Sequence, residues 1–503
     1  MLSNNKYIIG ITYIYLNLPN VITFTGNGSA GSPYGTITYT YDAAGNNLKK
    51  EVVNNTTTPA KTTTTLYLGG SVYENDELQF IAHEEGRIRP VRDASNNITA
   101  FTYDYFIKDH LGNVRMVLTE EQKQDLYLMA SVEPSKIATE KDYYDIRDAN
   151  VVDKSIAAGI TDYPNNNGIT NIPADPSFET ANSTQLYRLN STGTKAGLGI
   201  ALKVMAGDKI DVFGKSYYFQ NTSGTSGNSS IPVLDLLAAF LGSPSSPFSA
   251  HGLTATDLNT PSGILGIQSL ITNQESQSNA NPAKPRAFIN VIFFDEQFKS
   301  YDFRVSMVGS NSVVKDHYSE LQNITAGKSG YVYIYCSNES SVDVFFDNLQ
   351  VVHTRSPILE EDHYYSYGLK IAAISSKAAG ALQNNYLYQG DFSEYDADAG
   401  YNEFYLRHYD AQTGRWTTTD PYQQFDSPYI GMCNNPGIMV DPDGGGVLDW
   451  IKWVDKFGTT QVSWFGDPSK AASMIEGWEG TFIENLGLSG FWQSNQFGIF
   501  EWW

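Results

Sequence analysis

Two aspartates in this chain stand 21 residues apart, each before a proline: Asp420-Pro421 and Asp441-Pro442. The proline ring biases the residue before it to extended backbone, so two turns of one type display their carboxylates towards each other. A carboxyl pair held at about 3 Å cannot ionise twice; one keeps a proton while the other activates water. That is aspartic-protease chemistry. The other reading of both residues is an Asx turn, in which the carboxylate accepts backbone N–H groups two residues on. Arg415, in Gly414-Arg415-Trp416, either orients one of these carboxylates or forms a surface ion pair. A second set, Asp175, Glu179 and Asp347, offers oxygens that suit a structural calcium, a hard cation needing several such ligands. Solvated turn acids are the alternative for those three.

The pattern excludes much else. The seven histidines lack H-E-x-x-H spacing, and Gly444-Gly445-Gly446 has no following Lys-Ser/Thr to make a phosphate loop. Neither Gly-x-Ser-x-Gly nor a Cys/His nucleophile pair is evident. Two cysteines, Cys336 and Cys433, allow at most one disulfide and no four-cysteine zinc site. Beyond the calcium, no cofactor is expected. With 33 basic against 55 acidic residues, the net charge of −22 repels phosphate backbones, so nucleic acid is not an expected partner. No apolar run is long enough for a transmembrane helix.

The elements that must position these residues read as an all-β fold. Tyrosines, 33 against 25 phenylalanines, together with 43 glycines suit many short strands and tight turns. The length of 503 residues suggests three to four domains. The clearest unit is Tyr39-Thr40-Tyr41-Asp42-Ala43-Ala44-Gly45-Asn46-Asn47-Leu48. Its tyrosines sit at period two on one strand face, Asp42 bonds the turn, and Gly45-Asn46 supply positive φ. Degenerate copies begin at Tyr13 and at Tyr103-Asp104-Tyr105, the latter followed by Asp109-His110-Leu111-Gly112-Asn113-Val114-Arg115.

These residues resemble YD-repeat, or Rhs, proteins. Asp109 to Arg115 is similar to that family's Asp-His-Leu-Gly-Asn-Val-Arg signature, and Leu66-Tyr67-Leu68-Gly69-Gly70 through Glu85-Gly86-Arg87-Ile88-Arg89 looks like its accompanying strands. A second anchor opens at His363-Tyr364-Tyr365-Ser366-Tyr367-Gly368-Leu369. It continues through Tyr386-Leu387-Tyr388-Gln389-Gly390 and Tyr405-Leu406-Arg407-His408-Tyr409-Asp410 to Asp441-Pro442-Asp443-Gly444. It resembles the Rhs repeat-associated core, the plug segment of the family. What the resemblance implies is a β-shell wrapping a cargo polypeptide delivered in competition between bacteria, and self-cleavage just after the core by the aspartate pair. The family's cleaving members repeat Asp-Pro-x-Gly-Leu; here Gly and Leu are missing after Asp420 and Leu after Asp441.

The expected organisation is a YD-repeat β-shell segment at 1–124, an inserted module at 125–355, the core at 356–445 and a variable tail at 446–503. In the module, alternating β-branched and aromatic runs suggest a β-sandwich. Its ends, Phe178-Glu179 and Phe346-Asp347-Asn348-Leu349, resemble those of jelly-roll carbohydrate-binding modules. Tyr217, Tyr218 and Phe219 either stack on glycans or serve as core. Residues 221–287 read as surface loop around a short apolar helix at Leu234–Phe240. Val447, Trp450, Ile451, Val454 and Phe457 recur at helical spacing, predicting a helix in the tail. The tail has no His and few bases, so a His-dependent nuclease is not expected there. The partners expected are the chain's own C-terminal cargo, an immunity protein from a neighbouring reading frame, and glycans. The location expected is secreted or cell-surface, with the chain beginning inside a longer architecture. The alternative to toxin delivery is a surface adhesion or glycan-binding protein with a purely structural core.

Overall fold

The computed structural model describes residues 7–25, 33–93, 95–167, 181–220, 231–244, 254–390, 393–437, 439–446, 449–454, 460–465, 481–485, 492–494 and 500–502. The chain divides into two units. The first comprises Met1–Glu120, Glu360–Ala372 and Leu382–Trp503, the second Glu121–Leu359 and Ala373–Ala381. Both are built on antiparallel sheets, and the fold is all-β.

In the first unit ten strands follow one another in sequence and in space: β1 (Ile8–Tyr13), β2 (Pro19–Thr25), β3 (Pro33–Tyr41), β4 (Asn47–Asn54), β5 (Lys61–Leu68), β6 (Ser71–Glu74), β7 (Glu77–His83), β8 (Gly86–Arg92), β9 (Ile98–Lys108) and β10 (Val114–Thr119). Alternation decides which face is covered. In β3, Ile37 and Tyr39 are buried while Thr36, Thr38 and Thr40 are not; in β9, Thr102, Asp104 and Phe106 are buried while Phe101, Tyr103 and Ile107 are exposed. Stacked tyrosines at period two recur, Tyr39 with Tyr41 at 6.1 Å and Tyr103 with Tyr105 at 6.5 Å.

One turn chemistry joins β3 to β4, β8 to β9 and β9 to β10. The carboxylate of Asp42 accepts the N–H groups of Ala44 at 2.9 Å and Asn46 at 2.8 Å, and Asn46 Nδ2 returns a bond of 2.7 Å. Asp93 binds Ser95 and Asn97 in the same way, and Asp109 binds Leu111 and Asn113. The third residue after each aspartate needs positive φ: Gly45 at +98°, Asn96 at +67° and Gly112 at +82°. The same bonds hold the carboxyls of Asp42 and Asp93 below the usual range.

Across β8 and β9, Arg87 and Asp104 are register partners. Asp104 is fully buried and takes Arg87 Nε at 2.9 Å and Arg89 Nε at 2.6 Å. Arg87 spends its remaining donors on the carbonyls of Leu382 at 2.9 Å and Gln383 at 3.0 Å, fastening the returning chain to the sheet. That returning chain forms a small sheet from Glu394–Asp396, Tyr401–Glu403, His408–Asp410 and Arg415–Trp416. Ala399 and Tyr401 pack with Ile8, Ile22, Ile37 and Tyr39, so the small sheet covers the inner face of β1–β4.

The second unit is a two-sheet sandwich. Strands Gln185–Leu189, Val344–Thr354 and Lys209–Tyr218 are neighbours in one sheet; Ala196–Val204, Gly330–Asn338, Ala287–Asp295 and Ser300–Met307 make the other. Tyr187, Val212 and Val351 from the first meet Ile200, Ile289 and Val332 from the second in one core. The outer face of the second sheet is covered by helices Val233–Leu241, Ala255–Leu258 and Leu265–Ala280. The first matches the short helix expected at Leu234–Phe240, and the surface-loop reading of the rest is corrected at Ala255–Leu258 and Leu265–Ala280. Leu265–Ala280 is polar overall, yet Ile267, Leu270 and Gln274 form a buried stripe, and Gln274 bonds Asn290 at 2.7 Å.

The predicted tail helix is also corrected. Asp449–Val454 is a strand between Thr460–Phe465 and Thr481–Asn485. The segment is rich in Trp, Ile and Val, residues that prefer a pleated surface, and its apparent helical period depended on positions outside the strand.

Candidate active site

Asp420 closes its own turn: Oδ1 accepts Tyr422 N–H at 2.8 Å and Oδ2 accepts Gln424 N–H at 3.1 Å. Asp441 is fully buried, and its N–H donates to Gln389 Oε1 at 2.9 Å. Its Oδ1 accepts Gly446 N–H at 3.1 Å. Arg407, itself buried, lies between the two acids. Nη2 stands 3.3 Å from Asp441 Oδ2 and 4.0 Å from Asp420 Oδ1. The guanidinium rests on the Trp416 ring at 4.2 Å, which fixes its plane. Its Nε donates to the carbonyl of Gly444.

Arg415 is not part of this arrangement. Trp416 is buried, so its strand neighbour Arg415 faces solvent, where Nη1 donates to Asn434 Oδ1 at 2.8 Å. Arg407 takes the orienting position that was one of the two readings of Arg415. Asp443 is the other residue that the spacing of the prolyl aspartates concealed. Its Oδ1 accepts Gly445 N–H at 2.8 Å and Gly446 N–H at 3.2 Å. Burial pushes the Asp441 carboxyl up to about 7; Arg407 opposes this and the neighbouring Asp443 carboxylate adds to it. Asp441 therefore carries its proton in a range where an ordinary aspartate has lost it.

The Gly444–Gly445 peptide is held at both ends, its carbonyl by Arg407 and its N–H by Asp443. Gly444 sits at φ +73°, and a Cβ there would stand 2.8 Å from Phe404 Cβ. A larger residue would not reach this conformation without displacing Phe404 and Arg407.

The signature loop after β9 supports the site from behind. Asn113 Oδ1 accepts Gln389 N–H at 2.8 Å, and it is Gln389 that receives Asp441 N–H. His110 Nε2 lies 3.0 Å from Gly437 O. Gln389 and Asn113 both stood inside quoted motifs, but nothing local pairs residues so far apart in sequence.

In the second unit, Asp347 is buried and its Oδ2 accepts the hydroxyls of Tyr163 and Ser183, each at 2.7 Å. Burial pushes its carboxyl up to about 7. Asp175 and Glu179 lie outside the described residues. Among the described residues, no cluster of three or more His, Cys, Asp or Glu could hold a metal. Tyr217 and Tyr218 are core residues and Phe219 is 38% exposed. Cys336 and Cys433 are not joined in a disulfide.

No family model matches the chain. Over 94 residues, 19% of its length, it is 32% identical to salivary gland surface protein 1 of Aedes aegypti, and that match spans 3% of the mosquito protein. Among solved structures it is similar to a chain of TcdB2-TccC3-Cdc42, at 15% identity over 86% of this chain and 15% of that one, with a TM-score of 0.16. A TcdB2-TccC3 structure without the hypervariable C-terminal region gives 14%, 86%, 15% and 0.15 in the same order. A further TcdB2-TccC3 structure gives 13%, 87%, 20% and 0.16. The chain thus spans only a small fraction of each of these relatives.

Proposed function

We propose that the chain is an Rhs/YD-repeat-type wall and plug that holds the segment after Gly444 and releases it by self-cleavage of the Gly444–Gly445 bond. The observation that carries this reading is Arg407, whose one guanidinium touches Asp441, approaches Asp420 and binds the Gly444 carbonyl. In the cleavage, a water oxygen attacks the Gly444 carbonyl carbon and passes a proton to the Asp420 carboxylate. Arg407 stabilises the oxyanion that forms. Asp441 gives its proton to the Gly445 nitrogen as the C–N bond breaks. The products are a carboxylate at Gly444 and a new amino terminus at Gly445. Under this reading residues 445–503 are the cargo, and toxin delivery between bacteria, with an immunity protein as the cargo's partner, is the setting that the family resemblance supplies.

Expression of the full chain followed by gel electrophoresis tests it. Wild type is expected to yield the 445–503 fragment, and Asp441→Asn to remain intact. A wild-type chain that stays whole removes the protease function.

A further inference from the structure

One lysine of the wall meets one aspartate of the plug away from solvent. Lys50 of β4 is the register partner of Tyr39 in β3, so the two side chains share the inner face that the small sheet covers. Lys50 Nζ lies 2.6 Å from Asp396 Oδ1 and 3.0 Å from Asp398 Oδ2; Asp396 is almost fully buried, whereas Asp398 is exposed. The Tyr39 hydroxyl donates to Asp396 Oδ2 at 2.5 Å. The N–H groups of Asp398 and Ala399 donate to Asp396 Oδ1 at 2.8 and 3.0 Å. A third acid, Glu403, is hydrogen-bonded to Asp396 from the neighbouring strand, where its register partner is Glu394. Burial, with the Asp396 charge beside it, holds the Glu403 carboxyl well above the usual range, so it keeps its proton.

An ammonium and a carboxylate differ from an amide by one water, so this contact can close without a co-reactant. Burial opposes both charges; the attraction between Lys50 and Asp396, with the hydrogen bonds on Asp396, more than offsets it, and the pair rests in its ionised form. Moving one proton from Nζ to the carboxylate removes both buried charges at once, which a dry site makes far less costly than water would. Well-oriented intramolecular reactions reach effective molarities of about 10⁵–10⁸ M, enough to favour condensation over hydrolysis where water is scarce.

We propose that Lys50 and Asp396 join spontaneously in an isopeptide bond that welds the wall to the plug. The ammonium first passes a proton to Asp396, and the freed Nζ lone pair attacks Asp396 Cγ. Negative charge gathers on Oδ1, at which the Asp398 and Ala399 N–H groups already point. Glu403 gives its proton to the Oδ2 hydroxyl and takes one from Nζ, ending as it began. The Cγ–Oδ2 bond breaks, water leaves, and Nζ keeps a single hydrogen as the new amide. The Tyr39 hydroxyl, donating to Oδ2, holds the departing oxygen in place. A cavity of about 180 Å³, lined in part by Lys50, Asp396 and Glu403, gives the water an exit. The weld is separate from the Arg407 centre and does not depend on cleavage there.

Mass spectrometry of the purified full chain, before and after digestion with trypsin under denaturing conditions, tests this. Wild type is expected to carry one water less than its sequence, and to give a branched peptide joining residues 50–61 to residues 378–407 through Lys50 and Asp396. Both peptides precede Gly444, so the branch is read whether or not the tail is released. Lys50→Arg keeps a cation beside Asp396 and should abolish the branch. Glu403→Gln removes the proton relay and should slow bond formation by about 10²–10⁴-fold, leaving the purified chain mostly unbranched. Recovery of the two wild-type peptides separately and in full yield, a branch on Asp398 or Glu394 instead, or a branch in Glu403→Gln at the wild-type level would each overturn the proposal.

Discussion

Asp104→Ala strikes the join between the sheet and the returning chain. Asp104 is fully buried, and its removal leaves Arg87, only 2% exposed, without the carboxylate that neutralises it. Arg87 keeps the carbonyls of Leu382 and Gln383, but a carbonyl is a dipole and not a counter-charge. Removing one partner of a buried ion pair costs about 3–5 kcal/mol. In a unit of this size each kcal/mol shifts the melting midpoint by about 2–4 °C, so a fall of roughly 6–20 °C follows. Replacing Arg87 as well, as Arg87→Met with Asp104→Leu, should recover part of the loss, since the fully buried guanidinium is no longer stranded and only the less buried Arg89 loses its carboxylate. Thermal unfolding followed by circular dichroism measures both variants, and hydrogen exchange in β8 and β9 assigns the transition to the first unit. The reasoning is refuted by an Asp104→Ala chain that melts with wild type, or by a double variant that falls as far as the single one.

Three further outcomes can be checked. In the first unit Asp441 and Glu394 titrate near 7, above their ordinary 3.8 and 4.5, so the folded chain binds more protons than the unfolded one and stability falls as pH rises through 7. His408, lowered to about 4, acts in the opposite direction only below its unfolded value of 6.5, so the urea midpoint should drop between pH 6.5 and 8; a rise contradicts these shifts. Asn113→Ala removes the acceptor of Gln389 N–H, leaving a buried donor unpaired at a cost of about 1–3 kcal/mol, and should slow fragment release by displacing Asp441; an unchanged urea midpoint would separate the signature loop from the site. A calcium held by Asp175, Glu179 and Asp347 must displace the Tyr163 and Ser183 hydroxyls, so Tyr163→Phe should strengthen calcium binding; melting of EDTA-treated protein that ignores calcium in both chains would remove that ion.

What the sequence made legible was local chemistry. The turn at Asp42 could be read because an aspartate, a glycine and an asparagine at fixed offsets satisfy one another within five residues. The all-β class followed from the same composition of Tyr, Thr, Gly and Asn. The pairing of Arg87 with Asp104 was hidden even though both lie in quoted motifs, because it needs the β8–β9 register. Arg415 could be read from Gly414-Arg415-Trp416 as an orienting residue, whereas strand alternation puts Trp416 inside and Arg415 outside. The helix Leu265–Ala280 escaped notice for the opposite reason: its buried stripe of Ile267, Leu270 and Gln274 is sparse, and it is held by a sheet face rather than by its own propensity.

Incubation of the purified full chain in water enriched in oxygen-18, followed by mass spectrometry of the peptide ending at Gly444, tests the chemistry assigned to Arg407 and Asp441 most directly. Hydrolysis of the Gly444–Gly445 bond predicts one heavy oxygen in the new carboxylate, a partner fragment beginning at Gly445, and neither product from Asp441→Asn or Arg407→Met. An unlabelled terminus, a break elsewhere in the chain, or the same fragment from Asp441→Asn would contradict it.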